Sequence, residues 1–379
     1  MAQFFSSIDW VGLSRMNIER TRLVMKEASI DLVVCNGMEN VRYLTGFSPH
    51  NAMSMFKTHL VILPASAEDP TLFTLNYYPD YVKEAAPWLT DVRTFSKDLS
   101  TEVADYIRSS QIRNTQIAID PFVSFADGQQ LSKKVEEFGC HVIGSDIMAR
   151  ARIIKNAIEI SIIREAAAIA EMGMKKALES CIEGFREYEV AANAEFAMRS
   201  AGAEGPAFPS VISSGVNGAI LKEISTDKRL RNGELVLIDQ GALYEGYNAE
   251  FTRIGCVGRP NEDQKKAYKT VLEAEQTAIR AVAPGKKAGE IDKIARDVIN
   301  NAGWGEWAYN YGTGHGIGVA VWEPPGFYPG SEDVLEAGMV VAVEPGIHKL
   351  GLGGIRIEDV VLITDSGPEI LTKTNYWEI

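Results

Sequence analysis

The sequence lacks a long apolar run, a close cysteine pair and any excess of basic residues. A membrane-spanning helix needs roughly 18 consecutive apolar residues, so no membrane span is predicted. The formal charge of −13 argues against a nucleic-acid partner. The 4 cysteines form no CxxC pair, which indicates buried free thiols in a reducing, cytoplasmic environment. The N-terminus has no basic and apolar pattern of a secretory signal, so none is expected.

The length of 379 residues predicts two domains. The first part of the chain alternates strand-like and helix-like stretches, which is typical of an α/β domain. Helices are predicted at 16–27 and 102–109, and strands at 31–35, 60–64, 71–75 and 116–120. The pattern changes near residue 150, so we predict domains of residues 1–150 and 151–379.

The second part has a different rhythm, with helix pairs set against hairpins. Apolar residues at helical spacing and flanking breakers predict helices at 156–179, 187–201, 262–282 and 288–301. Strands are predicted at 235–240, 248–257, 340–344 and 355–363. This order favours an α+β domain in which helices cover a curved antiparallel sheet.

Carboxylates interrupt apolar stretches in this second part. Asp239 and Glu344 each end an apolar run, and Glu358 lies between two of them. A buried carboxylate must be paired, hydrogen-bonded or bound to a metal. Together with Glu250 and His315, these residues predict a site for one or two divalent ions. One histidine among several carboxylates suits manganese, iron or cobalt better than a thiolate-seeking metal.

Two hairpins are expected to bring the carboxylates together. A turn at 244–246 would place Asp239 nearly opposite Glu250, and a turn at 349–354 would place Glu344 near Glu358. The alternative is that each pair is an ordinary cross-strand pair with a lysine or arginine partner. His315 lies in GTGHGIG, where the glycines would let the backbone approach a ligand closely.

Four ordered stretches resemble the signatures of a known superfamily. They are LVLIDQGALYEGYNAEFTR (235–253), GTGHGIG (312–318), VVAVEPGIH (340–348) and GGIRIEDVVLIT (353–364). They resemble the creatinase, aminopeptidase P, prolidase and methionine aminopeptidase superfamily, which has the pita-bread fold. NVRYLTGF (40–47) and residues 152–166 resemble its two-domain members in particular. The resemblance implies a creatinase-like N-terminal domain and a metallohydrolase-type catalytic domain.

The resemblance also implies roles for individual residues. Glu344 would be the general base, and Arg356 would orient a carboxylate or bind substrate. Glu250 stands where the family has an aspartate. Peptidases of the family carry histidines at the positions of Lys222, Tyr311 and Trp322. All three auxiliary histidines of the family are therefore replaced in this sequence. The ligand set is thus kept, while the substrate pocket is remodelled.

Three functions follow as hypotheses. The first is a metal-dependent hydrolase of the Xaa-Pro peptidase type, acting on a short peptide or a small amino-acid-like molecule. The second is a creatinase-like C–N hydrolase or a lyase similar to dimethylsulfoniopropionate lyase. The third is a catalytically silent binding protein. A screen of substrates separates the first two, and metal analysis separates them from the third.

The replaced positions leave two interpretations open. Lys222 is either a solvated loop lysine or a group that anchors a substrate carboxylate or transfers a proton. Tyr311 and Trp322 either pack the pocket or form an aromatic wall that suits a quaternary ammonium or sulfonium group.

The segment 47–56 predicts an assembly. In two-domain relatives the corresponding loop reaches the neighbouring subunit's pocket, and here it contains His50 as a candidate substrate contact. The segment is too apolar for a free loop. We therefore expect a homodimer in which each site is completed by the partner, unless the loop packs on its own domain.

Overall fold

The computed structural model of the chain describes residues 8–47, 59–66 and 69–376. The chain divides into two compact units, Met1–Arg152 and Ile153–Ile379, here called the N-terminal and the C-terminal unit. Residues 48–58, and His50 with them, lie outside the described residues. In the part of the chain that is described, no helix combines the length and the apolarity that crossing a bilayer requires.

The N-terminal unit is a mixed sheet with helices. Its helices are α1 Trp10–Glu27, α2 Met38–Thr45, α3 Pro79–Ala85, α4 Leu99–Ser109, α5 Phe125–Val135 and α6 Ile147–Arg152. Its strands are β1 Leu32–Cys35, β2 Leu60–Pro64, β3 Thr71–Thr74, β4 Asp91–Thr94, β5 Gln116–Ile119 and β6 His141–Gly144. The strand order is β4-β3-β2-β1-β5-β6, with β1, β5 and β6 parallel. The predicted α/β class is confirmed.

The first helix begins earlier than predicted, at Trp10 instead of Met16. The Asp9 side chain accepts a hydrogen bond from the backbone N–H of Gly12 at 2.9 Å. An aspartate that caps free N–H groups is a helix start signal. The prediction missed it because the apolar spacing becomes regular only further along.

The C-terminal unit combines helices with antiparallel sheets, so the predicted α+β class is also confirmed. Its helices are α7 Ala157–Glu179, α8 Glu187–Ser200, α9 Val216–Ala219, α10 Glu262–Ala281 and α11 Ala288–Asn301. Its first sheet comprises β7 Gly205–Pro206, β8 Val211–Ser214, β9 Leu235–Tyr244 and β10 Tyr247–Cys256. The later strands are β11 Gly314–Gly316, β12 Glu323–Phe327, β13 Val340–Val343, β14 Gly346–Lys349, β15 Gly353–Arg356, β16 Asp359–Thr364 and β17 Gly367–Ile370.

The long helix α7 supports the first sheet. The Asn156 side chain accepts hydrogen bonds from the backbone N–H groups of Ile158 and Glu159, and the Glu159 carboxylate accepts one from the Asn156 backbone N–H. Its inner face shares one apolar core with the β9–β10 hairpin, where Met174 and Phe251 are fully buried. That core holds the hairpin in place from the side of the sheet that the helix covers.

The cysteines are free thiols, as predicted, but they are not all buried. Cys35 and Cys140 are buried, whereas Cys181 and Cys256 are partly exposed. The prediction of four buried thiols is wrong for this second pair. Cys181 lies just beyond the end of α7, and Cys256 ends β10, so both are at the margin of the core.

Candidate metal centre

The β9–β10 hairpin carries the first two predicted ligands, Asp239 and Glu250. Its turn has two residues, Glu245 and Gly246, both with positive φ (47° and 75°), as a tight hairpin turn requires. The resulting register pairs Glu250 with Gly241. The predicted direct pairing of Asp239 with Glu250 is therefore wrong. The two are diagonal neighbours on one face of the sheet, and the missing side chain of Gly241 leaves room for Glu250.

The second pair of predicted ligands, Glu344 and Glu358, lies between two pairs of strands. β13 pairs with β16, and β14 pairs with β15, in one continuous register: Val343 lies opposite Asp359, and Gly346 lies opposite Arg356. That register places Glu344 opposite Glu358. The single strand predicted over 355–363 is thus two strands, β15 and β16, with Glu358 between them. At this position a carboxylate can leave the ladder and face the site.

His315 lies in the middle of β11, opposite Ala342 of β13. The glycines around it serve the packing of strands. A Cβ on Gly314 would meet the Ala342 carbonyl oxygen at 2.0 Å, and one on Gly316 would meet the Pro324 carbonyl oxygen at 2.2 Å. The close approach that the glycines permit is therefore to neighbouring backbone, and it holds the histidine between two strands.

Three of the predicted ligands converge. Glu250, His315 and Glu358 each offer one ligand atom, and these atoms lie within 4.8 Å of one another. His315 Nε2 is 3.4 Å from Glu250 Oε1 and 3.7 Å from Glu344 Oε1. His315 Nδ1 lies 3.0 Å from the Gly316 carbonyl oxygen. A proton on Nδ1 satisfies that carbonyl and leaves the Nε2 lone pair facing the carboxylates.

Arg356 holds the other two carboxylates. Its Nη2 donates to Asp239 Oδ2, and its Nη1 is 3.7 Å from Glu344 Oε2. The same Nη1 is 3.7 Å from Glu223, which is half-exposed. Asp239 is therefore turned towards the guanidinium, and it is not one of the three converging donors.

Burial and mutual repulsion dominate the electrostatics of the site. Burial, and then the neighbouring carboxylates, raise the pKa values of Glu250 and Glu358 well above the ordinary range. Burial likewise raises the pKa of Glu344 to about 7, although Arg356 opposes the shift. Burial lowers the pKa of His315 to about 4, so the imidazole is neutral at pH 7.

These residues fit a divalent cation. Glu250 Oε1 and Asp239 Oδ1 are buried and accept no hydrogen bond, which is costly for carboxylate oxygens. Glu250 Oε1 lies 3.4 Å from Nε2 of the neutral His315, so an ionised Glu250 would bring two acceptors face to face. A cation bound between such oxygen and nitrogen donors removes both penalties.

The predicted substrate residues lie in different surroundings. Trp322 is 75% exposed, and its ring centroid is 5.9 Å from that of His315. Tyr311 is partly buried; its hydroxyl lies 3.3 Å from His348 Nε2, and Arg356 stacks on its ring at 5.5 Å. Lys222 is exposed in the loop after α9, where it lines a small cleft with Glu223 and Arg356.

Sequence reasoning missed three residues of this site. Thr252 donates its hydroxyl to Glu358 Oε2 at 2.7 Å, and it also lies opposite Asp239. Its position two residues after Glu250, on the same face of a strand, was the available signal. By contrast, Glu223 contacts Arg356, and His348 contacts Tyr311. The residues of each pair are more than 30 positions apart in the sequence, so no local pattern shows these contacts.

A buried histidine–carboxylate cluster on antiparallel strands, in a chain with a separate α/β unit, defines a two-domain metallohydrolase. The chain belongs to metallopeptidase family M24: residues 161–365 match that family, and residues 17–154 match the creatinase/prolidase N-terminal domain. The resemblance inferred from the motifs is confirmed, and with it the pita-bread fold of the C-terminal unit.

The chain is similar over nearly its whole length to several dipeptidases and prolidases. An Xaa-Pro dipeptidase of Pyrococcus horikoshii is 38% identical over 353 residues, which are 92% of this chain and 95% of the relative. The crystal structure of the prolidase from Pyrococcus horikoshii OT3 has a TM-score of 0.83 at 35% identity and covers 95% of this chain and 99% of its own. An Xaa-Pro dipeptidase structure from Bacillus anthracis has a TM-score of 0.86 at 30% identity, with coverage of 97% and 99%.

Proposed function

We propose that the protein is a metal-dependent dipeptidase that hydrolyses short peptides, with a substrate pocket that differs from that of its relatives. The observation that carries the proposal is the convergence of Glu250, His315 and Glu358 within 4.8 Å, with one buried carboxylate oxygen lacking any donor. The relatives named Xaa-Pro dipeptidase make Xaa-Pro dipeptides the first substrates to test.

The metal ligands would be Glu250, His315, Glu358 and Glu344, with Asp239 as a fifth candidate. We favour one ion over two because Arg356 already engages Asp239. Manganese, iron or cobalt suits this mixture of carboxylate and imidazole donors. When bound, such an ion supplies Lewis acidity and lowers the pKa of water to the neutral range.

Glu344 is the proposed general base. It is largely buried, and it lies within 4 Å of both His315 and Arg356. It would take a proton from the attacking water and return it to the leaving amine, so that one water is consumed for each amide bond broken. Arg356 would keep the Glu344 and Asp239 carboxylates oriented, since it contacts both.

The exposed residues would meet the substrate. Trp322 stands beside His315 and offers an apolar surface at the mouth of the site. Lys222 is exposed beside Glu223 and Arg356, and it would attract a substrate carboxylate. Because lysine, tyrosine and tryptophan replace three histidines, acid–base and oxyanion help worth about 10²–10⁴-fold each is lost.

The test combines metal analysis with peptide hydrolysis. Metal-free protein is supplied with Mn²⁺ and incubated with Xaa-Pro dipeptides and with dipeptides that lack proline. We expect metal-dependent cleavage, with turnover of Xaa-Pro dipeptides far below the common value on the order of 10 s⁻¹. His315→Gln should lose the metal and the activity, whereas the control His141→Gln, at an exposed histidine of β6, should keep both.

The outcomes discriminate between the hypotheses. Stoichiometric metal without cleavage of any dipeptide would contradict a dipeptidase and support a binding protein. Absence of metal from the supplemented protein would contradict the whole proposal. Xaa-Pro turnover on the order of 10 s⁻¹ would show that the replaced histidines matter less than argued.

A further inference from the structure

A buried arginine lies behind the ligand strands, on the face of β10 opposite that of Glu250. Arg253, in β10, has a side chain that is 3% exposed. Its Nη1 donates to two backbone carbonyls, that of Thr252 at 3.1 Å and that of Glu358 at 2.7 Å. One guanidinium nitrogen thus joins the strand that carries Glu250 to the segment that carries Glu358.

A fully buried carboxylate neutralises this arginine. Arg253 Nη2 donates to Asp359 Oδ1 at 2.7 Å, and the Asp359 side chain has no exposed surface. A desolvated ion pair is tolerated only when further hydrogen bonds satisfy it. Here the hydroxyl groups of Thr372 and Tyr376 both donate to Asp359, the latter at 2.7 Å.

Both supporting hydroxyl groups come from the end of the chain. The Thr374 carbonyl accepts from Arg253 Nε at 3.3 Å and from Nη2 at 3.0 Å. The guanidinium carbon lies 4.7 Å from the centre of the Tyr376 ring and 5.0 Å from that of Phe251. Every nitrogen of the guanidinium is engaged, so Arg253 has no donor left for a substrate.

We propose that Arg253, Asp359 and the C-terminal segment Thr372–Tyr376 form a clasp that positions Glu358 and thereby sets the affinity of the metal site. The clasp acts on the ligand through its backbone, while Thr252 acts on its carboxylate: the Thr252 hydroxyl donates to Glu358 Oε2 at 2.7 Å. Arg253 is a positioning residue. This inference rests on the proposed metal site. It adds residues that are not metal ligands but hold one of the ligands in position.

The physical reason is the position of Glu358 between two strands. β15 ends at Arg356 and β16 begins at Asp359, so Glu358 lies outside both ladders. Its backbone N–H donates to the Thr252 carbonyl at 3.2 Å, and its carbonyl accepts from Arg253. Without the clasp, the segment between the strands gains freedom, and a ligand that moves binds its metal more weakly.

The experiment measures Mn²⁺ affinity by calorimetry on metal-free full-length protein. Tyr376→Phe removes a single hydroxyl, and a chain that stops after Lys373 removes the carbonyl and ring contacts as well. We expect the Mn²⁺ dissociation constant to rise several-fold in Tyr376→Phe and roughly 10–100-fold in the shortened chain. Tyr328→Phe, at a tyrosine that is 52% exposed, is the matched control and should bind as the wild type does.

A second readout separates the clasp from general stability. Bound metal raises the midpoint of thermal unfolding. In the clasp variants this metal-induced rise should be smaller than in the wild type, whether or not the midpoint of the metal-free protein is also lower. Dissociation constants within twofold of the wild type in folded Tyr376→Phe and shortened protein would overturn the clasp alone. If the shortened chain does not fold, Tyr376→Phe decides. A wild type that binds no Mn²⁺ would overturn the metal site and the clasp together.

Discussion

Arg356 offsets part of the negative charge of the site. Its guanidinium is the buried positive group that contacts both Asp239 and Glu344. Burial lowers the pKa of Arg356, but the neighbouring carboxylates raise it by more. The pKa of Arg356 is therefore well above its ordinary value. The arginine therefore stays charged in the metal-free protein and compensates part of the carboxylate cluster.

Removal of this charge should be costly. Arg356→Met leaves Asp239 and Glu344 buried without their partner, and breaking a buried pair costs about 3–5 kcal/mol. Urea unfolding of the metal-free protein measures the loss. Arg164→Met is the control, because Arg164 and Glu369 form a half-exposed pair, which is worth about 0–1 kcal/mol. Equal losses in the two variants would contradict this assignment.

At the scale of elements, one loop depends on one carboxylate. Glu187, the first residue of α8, is fully buried and accepts hydrogen bonds from both ends of the loop after β8. The donors are the N–H and hydroxyl of Ser214, the Asn217 amide, and the N–H and hydroxyl of Thr226. This loop carries Lys222 to the edge of the metal centre.

Glu187→Gln should therefore release the loop. Gln presents one acceptor and one donor where the wild type presents two acceptors, so several donors lose their partner. Each hydrogen bond to a charged group is worth about 1.5–3 kcal/mol, and we expect a loss on the order of 3 kcal/mol. Limited proteolysis within 215–225 should accelerate as well. Glu165→Gln, on the exposed face of α7, should change neither, and an unchanged cleavage rate in Glu187→Gln would disprove the loop anchor.

The N-terminal turn of α7 predicts a pH effect on stability. Burial raises the pKa of Glu159 from 4.5 to about 7, against the hydrogen bonds from Asn156 and Tyr247. Because the folded value is the higher one, this contribution to stability is complete below pH 4.5 and is lost as the pH rises through 7.

Between pH 5 and pH 8, Glu159 should lower the free energy of unfolding by roughly 2–3 kcal/mol, since one pKa unit is about 1.4 kcal/mol. Glu159→Gln cannot ionise, so it should gain that amount relative to the wild type over the same interval. Unfolding curves at the two pH values give the comparison, with Glu165→Gln as the exposed control. A difference between Glu159→Gln and wild type that does not vary with pH would refute the assignment.

At the scale of the whole molecule, the assembly stays a prediction. We expect a homodimer in which His50 of one subunit serves the metal centre of the other. Light scattering at micromolar concentration should give twice the mass of the chain, and a monomer would refute the dimer. Mixing a Glu344→Gln variant with a His50→Ala variant should restore partial activity once subunits exchange. Failure to recover activity after proven exchange would rule out sharing through His50.

The sequence alone determined the fold classes, the family and the candidate ligand set. Apolar spacing, caps and turn glycines are local signals, and they predicted the four long helices of the C-terminal unit to within one residue. Several short elements were not predicted, among them α2, α9 and the strand β11 that carries His315. The carboxylates were visible because charge inside an apolar run must be compensated. Glu344 and Glu358 could be paired in advance because their hairpin keeps a single register from one ladder to the next.

Only the tertiary structure decided which partners the ligands have. A two-residue turn set the diagonal placement of Asp239 and Glu250, a shift that apolar alternation does not reveal because both remain on the same face. Arg253 meets Asp359 and the chain end across more than 100 residues of sequence. Such contacts arise when separate elements pack together, so no local pattern encodes them, and they determine how firmly the predicted ligands are held.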